Sequence, residues 1–223
     1  MANVAAGHFQ NSAISKHGKP TIRIKGMSDI SVRVKISGVR PLLMHSARAA
    51  NPLSKEAKAS KAISSKRSKV DLDHERLAEL DWRNGFYHDS EFRPVITADC
   101  LQGCFIEAAK KLKLKKTAQS GIIVTDDTLL VHDHPAGPKA TVEDFWKTGG
   151  KYIDARGVRV QTSRVIRYRP RFDIWAAEFQ ADLYDLDASV FAQICQIAGR
   201  SIGLCDYRPR FGLFEVSSFE VLS

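Results

Sequence analysis

From Ile30 to Ser37 apolar and polar residues alternate without a break. Ile30, Val32, Val34 and Ile36 stand against Ser31, Arg33, Lys35 and Ser37. A period of two predicts a strand with one buried face and one open face, the open face carrying two cations. Near Thr97 the period becomes helical. Leu101, Cys104, Phe105, Ala108, Ala109 and Leu112 form one stripe, with Thr97 as the cap and a lysine-rich carboxyl end. Short strand signals follow at Ile122–Val124 and Leu129–His132, then at Val158–Gln161 and Ser163–Tyr168. Pro135, Gly137 and Pro138 mark an exposed loop, and a long alternating run spans Ile174–Tyr184. Asp187 caps a second helix with Val190, Phe191, Ile194, Cys195, Ile197 and Ala198 inward. Gly199 or Gly203 ends it, and Leu213–Leu222 closes the chain as a strand.

The intervening segments are less regular. Residues 1–20 read as a mobile arm, and Thr21–Lys25 as a first strand. From Ser46 to Val70, Lys55, Lys58, Lys61, Lys66, Arg67 and Lys69 face only Glu56, which predicts a flexible, partly helical basic excursion. A short helix is expected over Asp73–Leu80 and a hairpin over Phe86–Ile96, turning at His88–Ser90. Without these excursions the order is strand, helix, strands, long strand, helix, strand. This is the α+β, ferredoxin-like β-α-β-β-α-β pattern with a large basic insertion after the first core strand. The expected organisation is one domain over 21–223 with an inserted finger at about 46–96. Related modules bind single strands on the open sheet face, which here would carry Arg33 and Lys35.

Charge sharpens this. The chain has 34 basic against 25 acidic residues and a net charge of +9, which favours an acidic partner, nucleic acid first. No apolar run approaches the roughly 18 residues of a membrane span, so a cytoplasmic protein without a membrane partner is expected. The four cysteines include no CxxC pair; Cys100 and Cys104 read as small hydrophobes sharing a helix face. No metal and no cofactor are expected.

The pentapeptide Tyr-Arg-Pro-Arg-Phe occurs twice, at Tyr168–Phe172 and Tyr207–Phe211. Proline biases each copy toward extended geometry, which would set the rings opposite the arginines. Arg169, Arg171, Arg208 and Arg210 are then candidates for holding phosphates, with Arg33, Lys35, Arg40 and His45 extending the track. Tyr168, Phe172, Tyr207 and Phe211 are candidates for stacking on bases. The competing reading makes the arginines ordinary ion-pair partners and the rings core.

The loop Gly203-Leu-Cys-Asp-Tyr-Arg-Pro-Arg-Phe-Gly212 between a helix and a strand resembles the glycine-bearing loop of the RAMP superfamily, the ferredoxin-like RNA-binding subunits of CRISPR effector complexes. Arg40-Pro-Leu-Leu-Met-His45 resembles the entry to the large inserted loop of that superfamily's backbone members. The whole chain looks most like uncharacterised phage or prophage proteins sharing these segments. The resemblance implies a non-catalytic, sequence-nonspecific protein that assembles cooperatively as a homo-oligomeric filament along a single strand, DNA in a phage setting. It also implies that sheet, finger and glycine loop each touch the strand. The loop is shorter than in the effector subunits, with an arginine-rich centre.

Two other readings stay open. His132-Asp133-His134 with Asp126 and Asp127 offers donors for a metal-dependent nuclease, and His45 a general base for a metal-free one. In the other, the arginines serve subunit contacts in a phage structural or assembly protein. No GxxxxGK[ST], GxSxG or Cys–His–acid signature occurs.

Overall fold

The computed structural model describes residues 30–222. The proposed arm and the Thr21–Lys25 strand therefore lie outside the described residues. In chain order the elements are β1 (Ile30–Gly38), β2 (Leu42–Leu43), α1 (Lys55–Ser64), α2 (Asp71–Gly85), β3 (Val95–Ile96), α3 (Ala98–Ala109), α4 (Lys115–Gly121) and β4 (Ile122–Val124). They continue with β5 (Thr128–Leu129), β6 (Val131–His132), α5 (Val142–Thr148), β7 (Ile153–Val160), β8 (Ser163–Phe172), β9 (Trp175–Leu183), α6 (Ala188–Ile197) and β10 (Phe214–Leu222). The fold is α+β with antiparallel sheets. The main sheet runs β10-β1-β9-β4, with β6 also paired to β9.

The alternation of β1 decides which way this sheet faces. Val32, Val34 and Ile36 are fully enclosed, and the register places Val34 opposite Phe179 of β9. Phe105 of α3 closes this layer, with its ring centroid 5.4 Å from that of Phe179 and 5.2 Å from that of Phe191 of α6. Both helices bury the stripes their spacing predicts. Thr97 caps α3 by accepting from the Cys100 N–H at 3.3 Å.

A second group of rings ties the inserted region to the rest. Phe145 of α5 lies within 4.9–5.8 Å of Phe86, Tyr152 and Phe172. Trp82 of α2 donates its indole N–H to the Tyr152 carbonyl at 2.9 Å. These rings join the same continuous core as the sheet and its helices.

The inserted segment is thus not uniformly an excursion. The α1 helix has no buried residue and is capped by Ser54, whose hydroxyl accepts from Ala57 N–H at 3.1 Å. The following α2 is longer than the expected Asp73–Leu80. Its last turn carries Trp82 and leads into Phe86, and both are buried at 0% exposure. Asp81, Arg83 and Asn84 look like a polar break in the sequence, but the helix continues because Trp82 is anchored. Helix α5 was not foreseen, although Thr141 and Asp144 form a capping box immediately before Phe145 and Trp146.

Substituting Phe105→Ala should cost about 3–5 kcal/mol, because three elements meet on that ring. Chemical denaturation of this variant against the exposed-site control Ile123→Ala checks it. Similar midpoints for the two would contradict the placement.

Candidate nucleic-acid interface

The two copies of the repeated pentapeptide meet on opposite sides of one short strip, Pro41–Met44. On one side β2 pairs with β8, Leu42 opposite Phe172 and Leu43 opposite Arg171, and Met44 N–H donates to Pro170 O at 3.0 Å. On the other side the Gly203–Gly212 loop is stitched on by Asp206 N–H to Leu43 O at 2.9 Å and Gly212 N–H to Pro41 O at 2.8 Å. The loop base closes through Leu204 N–H to Gly212 O at 2.9 Å. Both bounding glycines have positive φ, +83° and +74°. A Cβ at Gly212 would stand 2.1 Å from the Leu204 carbonyl oxygen, so a side chain is excluded twice over.

The copies have opposite fates. The first is extended within β8, as expected, but its side chains do not stay outside. Phe172 is buried in the aromatic group, and Tyr168 packs half-buried against the core. Arg169 is buried too, its Nε 2.6 Å from Asp206 Oδ2, a contact whose angle is not that of a hydrogen bond. Arg171 pairs with Asp173 at 2.7 Å and lies 3.9 Å from Asp154. The second copy is not extended, contrary to expectation. It forms a turn in which Tyr207 adopts φ +59°. The loop's backbone follows its glycines and its bonds to the strip, and these override the local bias of proline. Phe211 turns inward at 7% exposure, whereas Tyr207 remains 40% exposed and Arg208 and Arg210 point to solvent. Tyr168, Phe172 and Phe211 are therefore core or near-core rings, and of the four stacking candidates Tyr207 is the most exposed, with the Arg156 and Arg169 guanidinium carbons 5.3 and 5.9 Å from its ring centroid.

The open sheet face is also corrected. Arg33 lies 3.3 Å from Glu178 and 3.9 Å from Glu220, and Lys35 lies 3.2 Å from Glu178. Asp182 accepts from the Ser31 hydroxyl on the same face at 2.6 Å. The parity that buries Ala177, Phe179 and Ala181 necessarily sends Glu178 and Asp182 outward beside Arg33 and Lys35. The result is a surface of mutually compensating charges. Arg40 and His45, flanking the strip, are exposed and make no ion pair among the described residues.

The β7–β8 hairpin adds cations that had not been singled out. Arg156 faces Arg167 across the ladder, and Arg159 faces Arg164. Like charges in directly opposed positions repel. Arg156 is compensated by Asp154 at 2.7 Å and Arg167 by Asp81 at 3.0 Å. Arg159 and Arg164 have no acidic partner among the described residues. Arg156 also sits over the rings of Phe211 and Tyr207, its guanidinium carbon 4.8 and 5.3 Å from the centroids, which joins the hairpin to the loop. The arginine spacing between Ala155 and Arg171 was the available signal; the strand ends alone did not reveal the cross-strand pairing.

Beside the loop lies an open cleft of about 730 Å³, lined among others by Arg48, His88, Asp99, Cys100, Cys205 and Arg208. Arg48 contacts the His88 ring, and burial together with that positive neighbour pushes the imidazole below its ordinary range.

The His132–His134 loop does not form a donor set. The His132 ring packs on Phe145 at 4.9 Å and its Nε2 is buried without a partner; burial lowers its pKa. His134 bonds Thr148 Oγ1 at 2.9 Å, and Asp133 accepts from Lys151 at 2.8 Å. Asp127 instead accepts from the Ala98 N–H at the start of α3. Among the described residues no three His, Cys, Asp or Glu side chains converge as a metal would need.

No protein-family model matches the chain, and no curated protein matches it. Among the described residues no helix is long and apolar enough to cross a membrane.

Removing the Asp206 carboxylate strands the buried Arg169 guanidinium, so Asp206→Ala should destabilise by about 2 kcal/mol or more. Asp173→Ala, at an exposed pair, should cost about 0.5 kcal/mol. Denaturant midpoints of the two variants test this ranking, and equal effects would refute it.

Proposed function

We propose that the protein is a non-catalytic, sequence-nonspecific binder of single-stranded nucleic acid built on a ferredoxin-like core. The strand order β10-β1-β9-β4, with α3 following β1 and α6 following β9, supports the fold reading. One observation carries the function: Arg208 and Arg210 project from a loop fixed at its base, exposed and in no ion pair among the described residues, beside the partly exposed ring of Tyr207. An arginine whose charge no internal acid compensates and whose backbone is held in place is suited to phosphate. Tyr207, 40% exposed, supplies an aromatic edge and the ring area that Arg156 and Arg169 leave uncovered for a base.

The binding track runs along the glycine loop rather than across the sheet. Arg40 continues it at the strip, and Arg159 with Arg164 continues it along the hairpin, where an anion between the two would relieve their repulsion. Single strands fit better than duplex because an exposed ring at the centre of the track needs an unpaired base. Assembly along the strand belongs to the same proposal; Val165 and Ile166, exposed on the hairpin, are the apolar surface offered for subunit contact.

Binding to an unstructured oligonucleotide should weaken with salt. If about five phosphates are neutralised, log affinity falls against log salt with a slope of about −3.5. Arg208→Ala with Arg210→Ala should flatten the slope to about −2, while Arg33→Ala on the sheet face should leave it unchanged. Competition shift assays with single-stranded DNA, duplex DNA and RNA provide the measurement. A flat salt response, or a larger loss from Arg33→Ala than from the loop variant, would sink the proposal.

A further inference from the structure

Three of the chain's four cysteines gather where α3 meets the Gly203–Gly212 loop, and they do not share one environment. Cys100 stands in the first turn of α3 and lines the 730 Å³ cleft together with Cys205 and Arg208. The side chains that bear on its protonation are those of Cys205, Thr97 and Tyr87. Cys205 opens the turn of the second pentapeptide in a left-handed conformation, φ +59°, which is uncommon for a residue with a side chain. One helical turn further along α3, Cys104 is fully enclosed and donates its Sγ–H to the Gly203 carbonyl at 3.1 Å. Cys195 is enclosed on α6.

We propose that Cys100 and Cys205 form a reactive dithiol on the wall of this cleft, which small-molecule disulfides of the glutathione type oxidise to an internal disulfide. Both thiols line one cleft, the Cys104–Gly203 contact holds the loop that bears Cys205 against the helix that bears Cys100, and the cleft gives a flexible disulfide a route to Cys100.

The protonation pattern agrees with this geometry. Hydrogen bonding from the Cys205 thiol, aided by Thr97, Tyr87 and the charge of Arg208, brings Cys100 down to about 6, in spite of its burial. The Cys100 sulfur in turn holds Cys205 protonated, with its pKa raised. Burial pushes Cys104 up to about 12, and Cys195 also rises. The acids Asp99, Glu107 and Asp127 line the same cleft, opposed there by Arg48 and Arg208. Cys100 is thus the attacking thiolate, Cys205 the resolving thiol, and the other two are bystanders.

The exchange proceeds in two steps. The Cys100 thiolate attacks one sulfur of the glutathione disulfide; a protein–glutathione disulfide forms, the glutathione S–S bond breaks, and one glutathione thiolate leaves. Cys205 then gives up its proton and attacks the Cys100 sulfur, expelling the second glutathione thiolate. Two protein thiols are oxidised, one small disulfide is reduced to two thiols, and the protons end on the released glutathione. The product joins the first turn of α3 to the loop that bears Tyr207 and Arg208. The inference stands independently of what that loop binds.

The test uses the full-length chain in native buffer, treated with oxidised glutathione and mapped by peptide fragmentation. The expected result is loss of two free thiols per chain and a Cys100–Cys205 cross-link, with Cys104 and Cys195 still free. Cys205→Ser should instead accumulate one glutathione on Cys100, and Cys100→Ser should take up none at the same dose. The wild-type protein alone is decisive if the variants fold poorly. Four unreacted thiols, earlier reaction at Cys104 or Cys195, or a wild-type protein arrested with glutathione on Cys100 would each overturn the dithiol.

Discussion

The strip Pro41–Met44 is the constraint on which the candidate site depends. One of its sides is satisfied by β8 and the other by the glycine loop, so two segments distant in sequence are registered against each other by backbone hydrogen bonds alone. The Arg169–Asp206 contact fills the space between them. A buried guanidinium demands a carboxylate, and Asp206 is delivered to it because its own N–H is tied to Leu43. With Asp206 and Phe211 committed inward, the residues between them have no inward partner left, so Tyr207, Arg208 and Arg210 face out. The first copy of the pentapeptide is therefore the support and the second is what it supports.

This division explains why a net charge of +9 does not spread into a uniformly basic surface. On the sheet, every outward cation of β1 meets an acid from β9 or β10, and such exposed pairs contribute little stability while cancelling the field. On the hairpin two arginines are compensated and two are not. The loop arginines make no ion pair among the described residues, although Arg208 shares its cleft with Asp99, Glu107 and Asp127. An uncompensated cation on a rigid backbone is the feature that separates a binding group from a structural one, and composition alone does not report it.

The sheet elements were legible in the sequence because their side-chain period is unbroken: Ile30–Ser37, Ile174–Tyr184 and Leu213–Leu222 each match a strand to within a residue or two, and the two amphipathic helices follow their stripes. What escaped was tertiary in origin. Asp81-Trp82-Arg83-Asn84 reads as polar until Phe86 and Phe145 give Trp82 a place to pack. The burial of Arg169 depends on an aspartate 37 positions away (206 minus 169). The neutralisation of Arg33 was readable, since the parity that turns Phe179 inward turns Glu178 outward. The two pentapeptides show the limit most plainly: identical residues take a strand in one place and a turn in the other, because flanking glycines and hydrogen-bond partners outweigh five residues of local preference.

The same interface places chemistry beside the candidate track. Cys104 anchors the start of the loop through the Gly203 carbonyl, while Cys100, one turn earlier, faces the cleft beside Cys205. A helix that encloses one sulfur and sets another, four residues away, in a cleft wall gives them different tendencies, since burial raises the Cys104 thiol while hydrogen bonding and the charge of Arg208 lower that of Cys100. Both depend on the loop sitting where the strip holds it. A substitution that loosened the strip, such as a side chain at Gly212, would disturb the ring face, the loop arginines and the thiol pair together, because one set of backbone bonds positions all three.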